Sequence, residues 1–171
     1  MRIVLLGDSH LARIRRQLPR IGEDVVNAAR GGATVRHLEA QADGVGLTGS
    51  DVVVLSVGTN DAAPHNDVPV ADFERTLTRF VRSNRAGAWV IMSPPGVDES
   101  RPGAGGRTNA VVTEYRDAAV GVAQTHPARL LDTRSWVAQL GTAFFAKDGL
   151  HLSGAAYGLL LPALAACGRS D

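Results

Sequence analysis

Two short stretches hold the residue types of nucleophilic acyl chemistry: "GDSH" at Gly7–His10 and "DGLHLS" at Asp148–Ser153. A serine hydroxyl is a weak nucleophile until a base takes its proton. His10 is next to Ser9, but adjacent residues on a helix do not face one another. If Ser9 points into a site, His10 is expected to point well away from it. His151 is the better-placed base, because Asp148 stands three residues before it and a single turn returns the carboxylate to the imidazole. Asp148 would then orient the ring and stabilise the imidazolium. Acyl transfer also needs donors for an oxyanion. The backbone N–H of Ser9 is one, and a serine at a strand-to-helix turn gains from the local field there. A glycine N–H from "RGGAT" (Arg30–Thr34) and the side-chain amide of Asn60 in "GTND" (Gly58–Asp61) are others. Taken singly, each cluster reads as a turn, a helix cap or an Asx loop. Their order along the chain is what argues for a common site.

The elements that must bring them together are legible as runs. "RIVLLG" (Arg2–Gly7), "EDVVNAA" (Glu23–Ala29), "DVVVLSVG" (Asp51–Gly58), "AWVIMS" (Ala88–Ser93) and "ARLLDT" (Ala128–Thr133) read as strands. Val52–Leu55 is apolar at every position, which suits a parallel strand covered on both faces. Val70, Phe73, Leu77, Phe80 and Val81 fall at helical spacing, as do Val111, Val112, Tyr115, Ala118, Ala119 and Val122. Thr34–Ala42 is a shorter helix candidate. Ser153 is the expected N-cap of a last helix, which should kink or divide at Pro162. Strands alternating with helices predict one doubly wound α/β domain over residues 1–171. In such sheets ligands bind beyond the carboxyl ends of the strands, so Ser9, the RGG turn, Asn60 and the Asp148–His151 loop should share one edge. The stretch Pro94–Arg107 is too rich in proline and glycine for helix or strand, and reads either as a cover over a site or as a tolerated insertion.

Composition bounds the functions open to the chain. Of 171 residues, 44% are hydrophobic and 20% charged, enough apolar side chains for one core. The net charge is +1, from 18 basic and 17 acidic residues, with no dense basic stripe for nucleic acid. Arg13, Arg15, Arg16 and Arg20 read as a solvated face. Cys167 is the sole cysteine and should be a small buried residue. The apolar run Gly154–Cys167 is too short for a membrane span and is broken by Pro162. The start of the chain lacks a signal-peptide pattern, so a cytoplasmic location is expected, with a secreted mature form left open. His10, His37, His65 and His126 lack zinc spacing, and neither phosphate-cradling glycine motif occurs, so no metal and no organic cofactor is expected.

Together these blocks resemble the SGNH hydrolases, also called GDSL-type esterases and lipases, over Gly7–Ser153. The resemblance implies a flavodoxin-like three-layer α/β/α sandwich with a five-stranded parallel sheet. It implies Ser9 as nucleophile, Asp148 and His151 as acid and base, and Asn60 with Gly32 (counted from Asn27; Gly31, one residue out, if the loop differs) as oxyanion donors. The leucine usual after the serine is His10 here, a departure that bears on packing under the turn. The activity implied is hydrolysis of small-molecule carboxylic esters with small or short acyl groups. A sugar O-acetyl group or a thioester would use the same site, and a binding module without turnover is the alternative outside catalysis. The oligomeric state is not legible.

Overall fold

The computed structural model describes residues 1–168. Five parallel strands form one sheet: β1 (Ile3–Gly7), β2 (Val25–Asn27), β3 (Val52–Ser56), β4 (Ala88–Met92) and β5 (Ala128–Leu131), in the order β2-β1-β3-β4-β5. This is the flavodoxin-like doubly wound order. β1 and β3 are buried at every position, as their unbroken apolar runs predict. The period-2 alternation of strands sends Val4, Leu6, Val53, Leu55, Trp89 and Ile91 to one face and Ile3, Leu5, Val52, Val54, Val90 and Met92 to the other.

Helices α2 (Leu38–Val45), α3 (Val70–Ser83) and α4 (Asn109–Thr125) cover the first face. Helices α1 (Ser9–Ala12), α5 (Arg134–Leu140) and α6 (Gly154–Cys167) lie over the second. On α3, Phe73, Leu77, Phe80 and Val81 are buried, and Phe73 meets Tyr115 of α4 edge-on at 5.3 Å. Each such side chain contributes roughly 1.5–3 kcal/mol by leaving water. The weak candidate at Thr34 opens as a 3-10 turn, Val35–His37, in which His37 Nδ1 accepts the Thr34 N–H at 3.0 Å before α2 begins. Ser153 caps α6, its Oγ accepting the Ala156 N–H at 3.2 Å.

Three expectations are corrected. Of the kink or division expected at Pro162, the division does not occur: α6 is continuous to Cys167. Proline removes a single N–H, and burial of Leu160, Leu161 and Leu164 against the sheet holds the helix on either side. The Pro94–Arg107 stretch is not wholly irregular: Pro102–Ala104 forms a 3-10 turn, and Pro94–Val97 is buried. His10, whose ring was expected to stand away from the site, reaches under the sheet edge toward Asn60's neighbour. Its Nε2 lies 3.3 Å from Thr59 Oγ1, and the residue is 1% exposed. Among the described residues no helix is long and apolar enough to cross a membrane.

The β1–β3 pair sets the site edge. Gly7 stands opposite Ser56 with φ +122, and a Cβ there would lie 1.9 Å from the Ser56 carbonyl oxygen. Gln41 of α2 closes both backbone groups of Gly7, accepting its N–H at 2.6 Å and donating to its carbonyl at 3.0 Å. Just beyond, Asp8 and His10 are buried, and Asp8 Oδ2 and His10 Nδ1 lack partners. Burial pushes the Asp8 carboxyl up to about 7, against the opposing hydrogen bonds from the His10 N–H and Ser56 Oγ. Burial pushes the His10 imidazole down to about 3, helped by the charges of His151, Arg13 and Arg107.

Gly7→Ala should cost more than about 3 kcal/mol in urea unfolding, or leave the chain unfolded, because backbone cannot yield at that distance. Gly44→Ala on α2, where a Cβ meets nothing within 4 Å, should instead stabilise by about 0.5–1 kcal/mol. Between the folded value of about 3 and the ordinary histidine value of 6.5, the unfolded chain binds a proton that folded His10 does not. Wild-type stability should therefore fall more steeply than that of His10→Asn as pH drops from 6.5 toward 3, by up to about 1.4 kcal/mol per pH unit. Parallel pH profiles of the two proteins would show that His10 is not held neutral.

Candidate active site

Ser9 follows directly from the end of β1. Asp8 is the N-cap of α1, and its Oδ1 accepts the His10 N–H and the Ser56 hydroxyl, both at 3.0 Å. The carboxylate therefore ties the turn to β3 rather than serving a histidine. Ser9 is half-buried at the first position of α1. That helix is one turn of four residues, so the field expected from an aligned helix is reduced here to its few free N–H groups.

Asp148 and His151 are brought together in a tight loop. Asp148 Oδ1 accepts the N–H groups of Leu150 and His151, each at 3.0 Å, and Oδ2 lies 2.6 Å from His151 Nδ1. Gly149 makes the turn possible with φ +77. Partial desolvation raises the Asp148 carboxyl, but the three hydrogen bonds and the nearby imidazole outweigh it and hold the group well below the usual carboxylate range. The ring thus uses Nδ1 on the carboxylate and leaves Nε2 for another partner. No hydrogen bond joins Ser9 to His151 among the described residues. The two regions are linked through the start of α6, which follows directly on the His151 loop. Tyr157 of α6 donates to the His10 carbonyl at 3.2 Å, pinning the start of α6 to α1.

The RGG turn begins where β1 ends, since the Arg30 N–H donates to the Gly7 carbonyl at 2.9 Å. Gly32, not Gly31, takes the positive φ, +76, that favours glycine. A cavity of about 290 Å³ lies beside it, lined by Arg30, Gly31, Gly32, Ala33, His37, Ala40 and Gln41. Asn60 is 6% exposed, and its Nδ2 donates to the Ala33 carbonyl at 3.0 Å, linking the GTND turn to the RGG turn. One Nδ2–H is thereby used and the second remains. Asp61 is buried, accepting the Val35 N–H at 2.9 Å and the Gly58 N–H at 2.8 Å, and burial raises it to about 6 against those bonds.

Four residues of this neighbourhood are not picked out by sequence reasoning. Gln41 and Tyr157 sit on helices, where a lone polar residue carries no signal of its buried partner. Asp61 was within the quoted GTND block but had no role apart from it. Arg107 closes the proline- and glycine-rich loop and is 6% exposed. Its guanidinium donates to the Thr59 carbonyl at 2.7 Å, the Ala104 carbonyl at 3.1 Å and Asn60 Oδ1 at 3.0 Å. The same loop braces the Asp148–His151 pair, through Asp98 N–H to the Gly149 carbonyl at 2.8 Å and Gly103 N–H to the Asp148 carbonyl at 3.0 Å. It is therefore neither a free-standing cover nor idle insertion. Among the described residues no group of three or more His, Cys, Asp or Glu side chains is arranged to hold a metal ion.

Residues 6–159 match the GDSL-like Lipase/Acylhydrolase family. The chain is 33% identical over 130 residues to the isoamyl acetate-hydrolyzing esterase 1 homolog of Bos taurus, across 64% of this chain and 52% of that one. It thus spans about half the length of this curated relative. Among solved structures, the lipase/acylhydrolase from Enterococcus faecalis superposes with a TM-score of 0.76 at 23% identity, covering 97% of this chain and 94% of that one. An acetyl xylan esterase, AlAXEase, also gives 0.76 at 16% identity, over 99% of this chain and 100% of that one. The structural likenesses agree with the five-stranded parallel sheet and its flanking helices, and the match across 6–159 places the chain in the GDSL-like lipase/acylhydrolase family.

Proposed function

We propose that the chain is a serine esterase acting on small-molecule carboxylic esters of small or short acyl groups. The observation that carries this reading is the Asp148–His151 pair, with Nδ1 bound to the carboxylate and Nε2 left for a second partner, at the sheet edge where Ser9 emerges. In this reading His151 Nε2 takes the proton of Ser9 Oγ as that oxygen attacks the ester carbonyl carbon. Asp148, held ionised by its hydrogen bonds, stabilises the imidazolium. The carbonyl π electrons move onto oxygen, which is met by the N–H groups of Ser9 and Gly32 and by the remaining Nδ2–H of Asn60. The C–O bond to the alcohol then breaks, and the proton on His151 passes to the leaving oxygen. Water, deprotonated by His151, attacks the acyl-enzyme and returns Ser9 with release of the acid. In this reading the Ser9–His151 hydrogen bond forms as substrate binds, since such bonds often tighten only in the Michaelis complex.

The acetate ester in the name of the bovine relative supports a short acyl group. A sugar O-acetyl group is the second reading, favoured by the fold shared with the acetyl xylan esterase.

Ser9→Ala should lower kcat on a nitrophenyl acetate by about 10³-fold or more, and His151→Ala by a similar factor. A fluorophosphonate should label Ser9 in the wild type. Equal rates for wild type and Ser9→Ala would remove the reading, and failure to label would favour the non-catalytic module. Across a nitrophenyl ester series, kcat/KM should be higher for acetate and butyrate than for decanoate and palmitate. A preference for the long chains would overturn the short-acyl assignment.

A further inference from the structure

Arg107 is a buried cation that no carboxylate pairs with among the described residues. Burying a charge without a counter-ion is expensive, and such charges are kept where hydrogen bonds or a nearby negative charge compensate. Its three acceptors are two backbone carbonyls and the side-chain oxygen of Asn60. The carboxylate whose charge reaches it is Asp8, which burial itself pushes toward its neutral form. The neighbourhood thus holds a positive charge, met by neutral acceptors and by no paired carboxylate, directly behind an amide.

We infer that Arg107 is a positioning residue for Asn60, fixing the orientation of its amide and strengthening its outward N–H as a donor to the oxyanion of the ester reaction. The inference rests on the esterase reading above. An amide has two ends of nearly the same shape, and only its partners decide which end faces a substrate. A guanidinium has donors and no acceptor, so Arg107 Nη2 can donate only to the Oδ1 end of Asn60. Nδ2 is thereby turned to the other side, where Ala33 takes one N–H and the second remains for the site. The charge-assisted bond on Oδ1 also draws electron density from the amide, so the remaining Nδ2–H donates more strongly. A second bond, Nε to the Thr59 carbonyl, holds the guanidinium against the backbone of the residue before Asn60. The arginine is aimed by its own loop, whose Gly105 and Gly106 take φ of +58 and +77 immediately before it.

A role confined to tying down the loop would lower stability and leave the chemistry independent of Asn60. A positioning role predicts a different pattern. Arg107→Gln should lower kcat on nitrophenyl acetate by about 10- to 100-fold while KM changes less than about threefold, because the interaction matters most as charge develops on oxygen. Asn60→Ala alone should lower kcat by about 100-fold or more. With alanine at position 60, adding Arg107→Gln should cost less than about threefold further, because the residues act as a unit. Arg107→Lys keeps the cation but offers no fork, and should fall between wild type and Arg107→Gln. It also serves as the readout if Arg107→Gln does not fold. Guanidinium ion added at low millimolar concentration to Arg107→Gly should recover part of kcat, and should recover none when Asn60 is alanine.

Equal losses from Arg107→Gln in both backgrounds, or wild-type kcat in Arg107→Gln or Arg107→Lys, would overturn this inference alone. Wild-type kcat in Asn60→Ala would overturn the oxyanion assignment as well, and activity in Ser9→Ala the esterase reading itself.

Discussion

The parallel ladder between β1 and β3 is the constraint on which the rest of the site depends. Its last rung pairs Gly7 with Ser56, and the Asp8 N–H donates to the Ser56 carbonyl at 2.9 Å immediately beyond it. With no Cβ at Gly7, the two backbones approach closely enough for both chains to leave the sheet at one level. The turn to Ser9 and the turn to Thr59 and Asn60 therefore start side by side. Asp8 then fastens the first turn to the second strand through Ser56 Oγ. A side chain at Gly7 would force the strands apart at the one rung that sets the spacing of Ser9 from Asn60. Arg30 N–H on the Gly7 carbonyl extends the same junction to Gly32.

Around this junction the interior is polar, which is unusual for a sheet buried on both faces. Asp8, His10, Gln41, Thr59, Asn60, Asp61 and Arg107 are all under one-tenth exposed. An unpaired polar group in such a place costs about 1–3 kcal/mol, so most of these groups are fully engaged. Gln41 satisfies Gly7, Asp61 satisfies Val35 and Gly58, and Arg107 satisfies Thr59 and Asn60. The exceptions are Asp8 Oδ2 and His10 Nδ1, which lie directly beneath Ser9's turn. A carboxyl raised to about 7 and an imidazole lowered to about 3 are both shifted toward their neutral forms. Burial thus disfavours the charged form of both groups beneath the turn.

The sheet was readable in the sequence because its signal is local: runs such as Val52–Leu55 are apolar at every position and are bounded by glycine or polar residues. The Asp148–His151 contact was readable for a similar reason, since three residues separate them and one turn closes the gap. The amide of Asn60 could be read as a donor, but what aims it could not. Its partners Ala33 and Arg107 lie 27 and 47 positions away, and no periodicity links them. His10 misled for the opposite reason. Helical geometry speaks only of its relation to Ser9 and says nothing of how deep the ring goes or of Thr59, 49 residues on.

The Pro94–Arg107 segment joins the two halves of the site. Ser9, Gly32 and Asn60 are carried by strand ends and are placed by the sheet. Asp148 and His151 are carried by a loop much later in the chain than Asn60, and the sheet does not place them directly. The segment spans this gap with backbone bonds at Asp98 and Gly103 to the Asp148–Gly149 turn, and with the Arg107 side chain to Asn60. Its composition follows from that task. A Cβ on Gly103 would lie 2.3 Å from the Asp148 carbonyl oxygen, and one on Gly149 would lie 2.5 Å from Arg101 Cβ. The two loops approach backbone to backbone, and glycine is what lets them. Composition that reads as low complexity is here the requirement of close packing between two irregular segments. The spacing between the Asp148–His151 turn and Asn60 is then set by main-chain geometry, and the exposed Glu99 and Ser100 serve the loop itself, Glu99 Oε1 accepting the Asn109 N–H at 2.7 Å and Ser100 Oγ donating to Asp98 Oδ1 at 2.6 Å.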